Sequence, residues 1–105
     1  MFKANRAMTL KAASFAQELN ADGDKTVQIH NATASKDLTT ALDADALGAL
    51  DSSAFTLTAT TADLTIASGD FITLVYTVAT AGSVACGESS VAMLWEPVED
   101  SPIAD

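Results

Sequence analysis

The amino-acid sequence predicts a mainly β protein, a compact antiparallel sandwich or barrel with one short helical segment and extended termini. Three observations carry this expectation. Apolar and polar residues alternate with period two in Phe55-Thr56-Leu57-Thr58-Ala59-Thr60, which gives a strand one buried and one wet face. The run Phe71-Ile72-Thr73-Leu74-Val75-Tyr76-Thr77-Val78 is β-branched and aromatic, with apolar residues on both faces, as expected of a strand in the interior of a sheet or sandwich. Turn-forming clusters such as Ser68-Gly69-Asp70, Ala81-Gly82-Ser83 and Gly87-Glu88-Ser89-Ser90 separate the apolar segments.

The elements follow in chain order. Residues 1–11 contain Lys3, Arg6 and Lys11 and no acid, and they read as a basic N-terminal arm ahead of a β domain spanning 12–97. In the next stretch Met8, Ala12, Phe15 and Leu19 fit a helical face, while Ala13, Phe15, Gln17 and Leu19 fit a strand. The Asp-Gly turn in Asn20-Ala21-Asp22-Gly23-Asp24 and the clean alternation of Thr26-Val27-Gln28-Ile29-His30 favour a hairpin. Asp43-Ala44-Asp45-Ala46-Leu47-Gly48-Ala49-Leu50 predicts one or two helical turns, with the aspartates at the start and Leu47 and Leu50 turned inward. Leu64 to Ala67 is a short strand, Val84 to Cys86 another, and Val91 to Trp95 a last one that Pro97 ends, since proline cannot donate to a ladder. Residues 98–105 are an acidic C-terminal tail.

Composition narrows the possible functions. With 105 residues the chain forms one domain around a single modest core. Only 6% of residues are aromatic and many of the apolar ones are alanine, so the core is thin unless subunits share a surface. The net charge is -9, and every base lies at or before Lys36. Residues 1–36 carry 5 bases and 3 acids, whereas 37–105 carry 11 acids and no base. Such a chain is poorly suited to nucleic acid or an anionic membrane, both of which call for clustered cations. No apolar run approaches the ~20 residues of a membrane-spanning helix, and the chain reads as soluble and made in the cytosol. Cys86 is the only cysteine, which removes internal disulfides and multi-cysteine metal sites.

Residue chemistry offers no catalytic or metal site and implies no cofactor. His30 is the only histidine and Cys86 the only thiol, but no motif supplies the orienting group and oxyanion site that a Cys-His pair needs. Asp43-x-Asp45-x-Leu47-Gly48 opens like a calcium loop with Asp51 at its ninth position. It then fails, with Leu47 and Ala54 where ligands belong. Asp22 and Asp24 around Gly23 read as a solvated turn, and Asp70 as the cap of one. Tyr76 and Trp95 fit a core or an oligomer interface better than a sugar platform.

The segments Phe55-Thr56-Leu57-Thr58-Ala59, Ile66 to Leu74, Ala81-Gly82-Ser83 and Val91 to Pro97 resemble those of small capsid decoration (cement) proteins of tailed bacteriophages, over a little under half of the chain. The resemblance implies a structural virion protein, made in the host cytoplasm, that sits on the outer capsid surface. There it would bind the major capsid protein and copies of itself, as dimers or trimers, and bridge neighbouring shell subunits. In that setting Lys3, Arg6, Met8, Leu10 and Lys11 are the expected partner-binding residues of an arm that orders on contact. Deleting residues 1–11 is then expected to leave the β core folded. A small tail or receptor-binding module of a phage is the alternative, and a small cytosolic enzyme the weakest reading.

Overall fold

The structure, a computed structural model, describes residues 2–19, 24–44, 47–80 and 89–98. It is mainly β, with two antiparallel sheets in a sandwich-like arrangement. The strands are β1 (Phe2–Lys3), β2 (Met8–Gln17), β3 (Asp24–Asn31), β4 (Lys36–Asp37), β5 (Leu42–Asp43), β6 (Asp51–Ala54), β7 (Thr65–Ile66), β8 (Phe71–Thr80) and β9 (Ser89–Pro97). One sheet has the order β1-β8-β3-β4, with β5 also on β3; the other is centred on β2, which pairs with β6, β7 and β9. Because β9 runs along β2 from Met8 to Gln17, β6 and β7 share the opposite edge of β2.

The core lies between β2 and β3. Odd-numbered residues of β3 point inward, with Lys25, Val27, Ile29 and Asn31 all buried, as the alternation in the sequence requires. On β2 the inward residues are Leu10 and then Ala13, Phe15 and Gln17. The change of parity follows from a register shift between Leu10 and Ala12, since one extra residue in a strand swaps its faces. That shift is why a helical and a strand pattern compete in this stretch. Phe15 meets Phe55 edge-on at 6.4 Å, and Leu38, Ile66 and Ile72 complete the buried cluster.

Several expectations are corrected. The strand of the first half does not form a hairpin with β3. β2 and β3 belong to different sheets, so the chain crosses the sandwich between them. The alternating segment at Phe55 begins later than the strand that the structure forms, which is β6. Phe55 is buried and Leu57 half-buried as expected, but Ala59 is exposed, and no strand forms among these described residues: Phe55 N–H donates to the Ala13 carbonyl at 2.9 Å and Leu57 makes an isolated bridge to Thr39. The helical turns expected at 43–50 reduce, among the described residues, to the hydrogen bond from Leu47 N–H to the Ala44 carbonyl at 3.3 Å. Asp43 is in β5, Leu47 is buried, and Leu50 is 86% exposed rather than inward, with a left-handed φ of 55°. A 3-10 turn forms instead at Thr61–Leu64. The residues of the expected strand at 84–86 and all of the expected tail except Val98 lie outside the described residues.

The segment read as an arm is part of the body. β1 pairs with the start of β8, Leu10 is 1% exposed, and Met8 packs against the core. Apolar side chains placed two apart were inward positions of a strand rather than contacts held in reserve. A knot of polar contacts fixes this end. Ala4 N–H donates to the Asp70 carbonyl at 2.8 Å and Gly69 N–H to the Ala4 carbonyl at 2.7 Å. Gly69 has a φ of 95°, a conformation that glycine adopts without strain. Asp70 caps the turn as its sequence context suggests: Oδ2 accepts from Ala67 N–H and from Asn31 Nδ2, both at 2.9 Å.

The Ala67 amide, then the Asn31 amide, hold the Asp70 carboxyl below its ordinary value. A lowered folded-state value means that the contribution of Asp70 is full above the usual 3.8 and is lost as pH falls through the folded value. Asp70→Ala strands the nearly fully buried Asn31 amide and is expected to cost about 1–3 kcal/mol at pH 7. Urea unfolding should show that loss, with the gap to the parent closing in acid; equal stabilities at pH 7 would contradict the assignment. Leu10→Ala should cost about 2–5 kcal/mol, and removal of residues 1–11 should abolish cooperative thermal unfolding. A truncated chain that melts like the parent would restore the reading of an independent arm.

Candidate functional site

The single histidine sits on β3, where it is opposed by Asp37 of β4. His30 Nδ1 lies 2.8 Å from Asp37 Oδ1, with both side chains partly exposed. This is a cross-strand polar pair, of the kind that a short hairpin places side by side. A His-Asp contact also opens a catalytic triad, but a triad needs a nucleophile on the other ring nitrogen, and among the described residues the partner of the ring is Asp37. Cys86 lies outside the described residues. Asp43 and Asp51 are on separate strands, β5 and β6, and Asp22 and Asp45 lie outside the described residues. Among the described residues no group of three or more histidine, cysteine or acidic side chains converges. No helix among them is long and apolar enough to cross a membrane.

A recess of about 570 Å³ opens at the far end of β2, between Gln17, Glu18, Leu50, Asp51, Ser89 and Ser90. Its buried member, Gln17, donates from Nε2 to the carbonyls of Ala44 at 3.1 Å and Leu47 at 2.6 Å. Gln17 therefore pins the 44–47 turn to β2. This tie was missed in the sequence, where Gln17 reads only as the inward position after Phe15.

The two aromatic residues have different environments. Trp95 is half-buried and meets Phe2 edge-on, with ring centroids 5.8 Å apart and planes at 81°. Tyr76 belongs to the other sheet and is 40% exposed, so the pair makes no flat platform.

The basic residues and their acidic counterparts are arranged by position along the sandwich. Lys3 is on β1, Arg6 precedes β2 and Lys11 is near its start; all three are exposed. Lys36 is on β4, beside the end of β3. Acids at this end have local partners: Glu96 pairs with Lys11 at 3.7 Å, Asp37 with His30, and Asp70 with Asn31. Asp63 also lies there, in the 3-10 turn that precedes β7. At the opposite end of β2, about 30 Å away for the nine rises of a ten-residue strand, stand Glu18, Asp51 beside Gln17, and Asp24 beside Thr80. Lys25, at that end, is buried. The sequence showed the excess of bases before Lys36 but not that folding gathers the exposed ones at one end.

No protein-family model, curated protein or solved structure matches the chain. The expected partner residues therefore rest on placement. Lys3, Arg6 and Lys11 present charge at the surface, whereas Leu10 is spent in the core and Met8 lies against it. Since the His30–Asp37 pair is exposed, His30→Ala should change stability by no more than about 1 kcal/mol. Thermal unfolding checks this, and a larger loss would mean that His30 has a structural role which the pair does not account for.

Proposed function

We propose that this chain is a structural virion protein, a capsid decoration protein that binds the outside of the major capsid shell and bridges neighbouring subunits. The observation that carries the proposal is that the exposed bases of the described residues all stand at one end of the sandwich. Lys3, Arg6, Lys11 and Lys36 stand at one end, where Lys11 is paired with Glu96 and where Asp37, Asp63 and Asp70 also lie, while Glu18, Asp24 and Asp51 stand at the other, where Lys25 is buried. A body of net charge -9 is repelled least by an acidic surface where its exposed bases offset neighbouring acids, so the end that carries Lys3 and Arg6 is the one suited to meet an acidic shell. The resemblance of the Phe55 to Pro97 segments to cement proteins supports the same reading. Contact is the task to which this surface is suited: charge sets orientation and rate, and buried apolar area supplies most of the affinity. The basic end acts here as part of the folded body, with no entropic cost of ordering an arm.

Exchanging two of the exposed bases, in Lys3→Glu/Arg6→Glu, leaves the core untouched. Occupancy on purified shells lacking the protein should fall by about tenfold at low salt, and the difference from the parent should shrink as salt rises. Equal occupancy of parent and variant at every salt concentration would sink the proposal.

A further inference from the structure

The two flanks of the sandwich differ. On one, backbone hydrogen bonds join the sheets: Thr40 N–H to the Thr56 carbonyl at 2.9 Å and Thr58 N–H to the Leu38 carbonyl at 3.0 Å, around the Thr39–Leu57 bridge. On the other flank stand β8 and β9, which do not pair with each other. Phe2 reaches across to Trp95 at one end. Beyond Ile72 the strand partner of β8 among the described residues is β3 alone. The residues of β8 that oppose Asn31, Ile29, Val27 and Lys25 share their inward face. Along that face exposure rises from 0% at Ile72 through half-buried Leu74 to 40% at Tyr76 and 50% at Val78. On the outer face Val75 is 39% exposed.

This environment conflicts with the sequence of β8. A strand with apolar residues on both faces suits the centre of a sheet, and edge strands are ordinarily guarded by lysine, proline or a bulge. From Phe71 to Thr80 there is no charge and no proline, and the one register shift in its pairing falls on the β3 side at Asp24 and Lys25. We infer that β8 is completed by β8 of a second copy, paired antiparallel about a two-fold axis near Tyr76, so that the five-stranded sheets of two chains become one. This rests on the reading of the chain as an assembling structural protein and names its self-contact.

Register and charge both fit a second copy. Centred on Tyr76, the pairing sets Leu74 against Val78 of the other copy and Val75 against Thr77, so apolar positions meet on the inner face. It uses Thr73 to Ala79 and stops where β1 already occupies the edge at Ile72 and Phe71. Two bodies of net charge -9 approach most easily through a strand without charge. The antiparallel arrangement also carries exposed Lys3, beside Phe71, toward the end of the other copy where Asp24 stands beside Thr80. A two-fold contact of this kind is self-complementary and closes at two chains.

The test is the mass in solution of the full chain, by light scattering after size exclusion, for the parent and for Val75→Lys and Val78→Lys. The parent should run at about twice the 10.8 kDa monomer mass, and each lysine variant should run as a monomer with the parent's circular dichroism. Both substitutions reduce the net negative charge, so a contact governed only by global repulsion would strengthen instead. Leu94→Lys, on β9, should leave the dimer intact. In a Cys86→Ser background, Tyr76→Cys should oxidise to a covalent dimer and Asp63→Cys should not, which tests the register even where a lysine variant folds poorly. A parent that stays monomeric, or an oligomer that survives both lysine variants, would overturn the inference. Shell occupancy separates the two proposals: a monomer that still decorates shells refutes the self-contact alone, and a β8 dimer that binds no shell refutes the decoration reading alone.

Discussion

The inward stripe of β2 and β3 is the contact on which the other elements depend. Phe15 on one strand and Val27 and Ile29 on the other are nearly inaccessible to water, and each strand serves as the hydrogen-bonding spine of its sheet. Large apolar side chains are few, so the interior between the spines is narrow, and its remaining volume is filled from short segments such as β7 and the Leu38 turn. Those segments collect on one flank and tie the sheets together there. Among the described residues the apolar cover thins toward the other flank, where exposure along the inward face of β8 rises from buried Ile72 to exposed Tyr76 and Val78.

Polar ties substitute for bulk at the two ends of the sandwich. Asp70 and Asn31 hold the turn between β7 and β8 against the end of β3, and Gln17 holds the 44–47 turn against the end of β2. In a small core each tie matters more, because an unpartnered buried amide costs as much as a lost methyl contact or two. Thr39 plays the same part inside the closed flank, where its hydroxyl accepts from Ile29 N–H at 3.1 Å and its carbonyl from Gln28 Nε2 at 2.8 Å.

Much of the fold was legible in the sequence because period-two alternation is a local signal. Thr26 to His30 and Val91 to Trp95 became strands as their patterns require, and the Ser68-Gly69-Asp70 turn formed with Asp70 as its cap. Partner choice was not legible. The turn chemistry at Asp22-Gly23 marks a reversal of direction equally well for a hairpin and for a crossing between sheets, and only the packed core selects the crossing. The Lys11 register shift hid β2 behind a pattern with helical spacing. The site was less legible still. The sequence gathers bases ahead of Lys36, but whether they form a loose arm or the end of a folded body depends on the burial of Leu10, a property of the tertiary structure. For β8 the sequence pattern described a central strand, while among the described residues β3 is its one strand partner beyond Ile72.

Self-assembly through β8 requires its outer edge beyond Ile72 to be open in the isolated chain and covered in the assembled one. Hydrogen–deuterium exchange of the full chain, followed amide by amide over a range of protein concentrations, reads this directly. Along β8 from Thr73 to Thr80, amides facing β3 should be protected at every concentration. Those facing the open flank should exchange quickly in dilute solution and become protected as concentration rises, while the amides of Val27 and Ile29 stay unchanged. Protection along the outer edge of β8 that is the same at all concentrations would contradict the account.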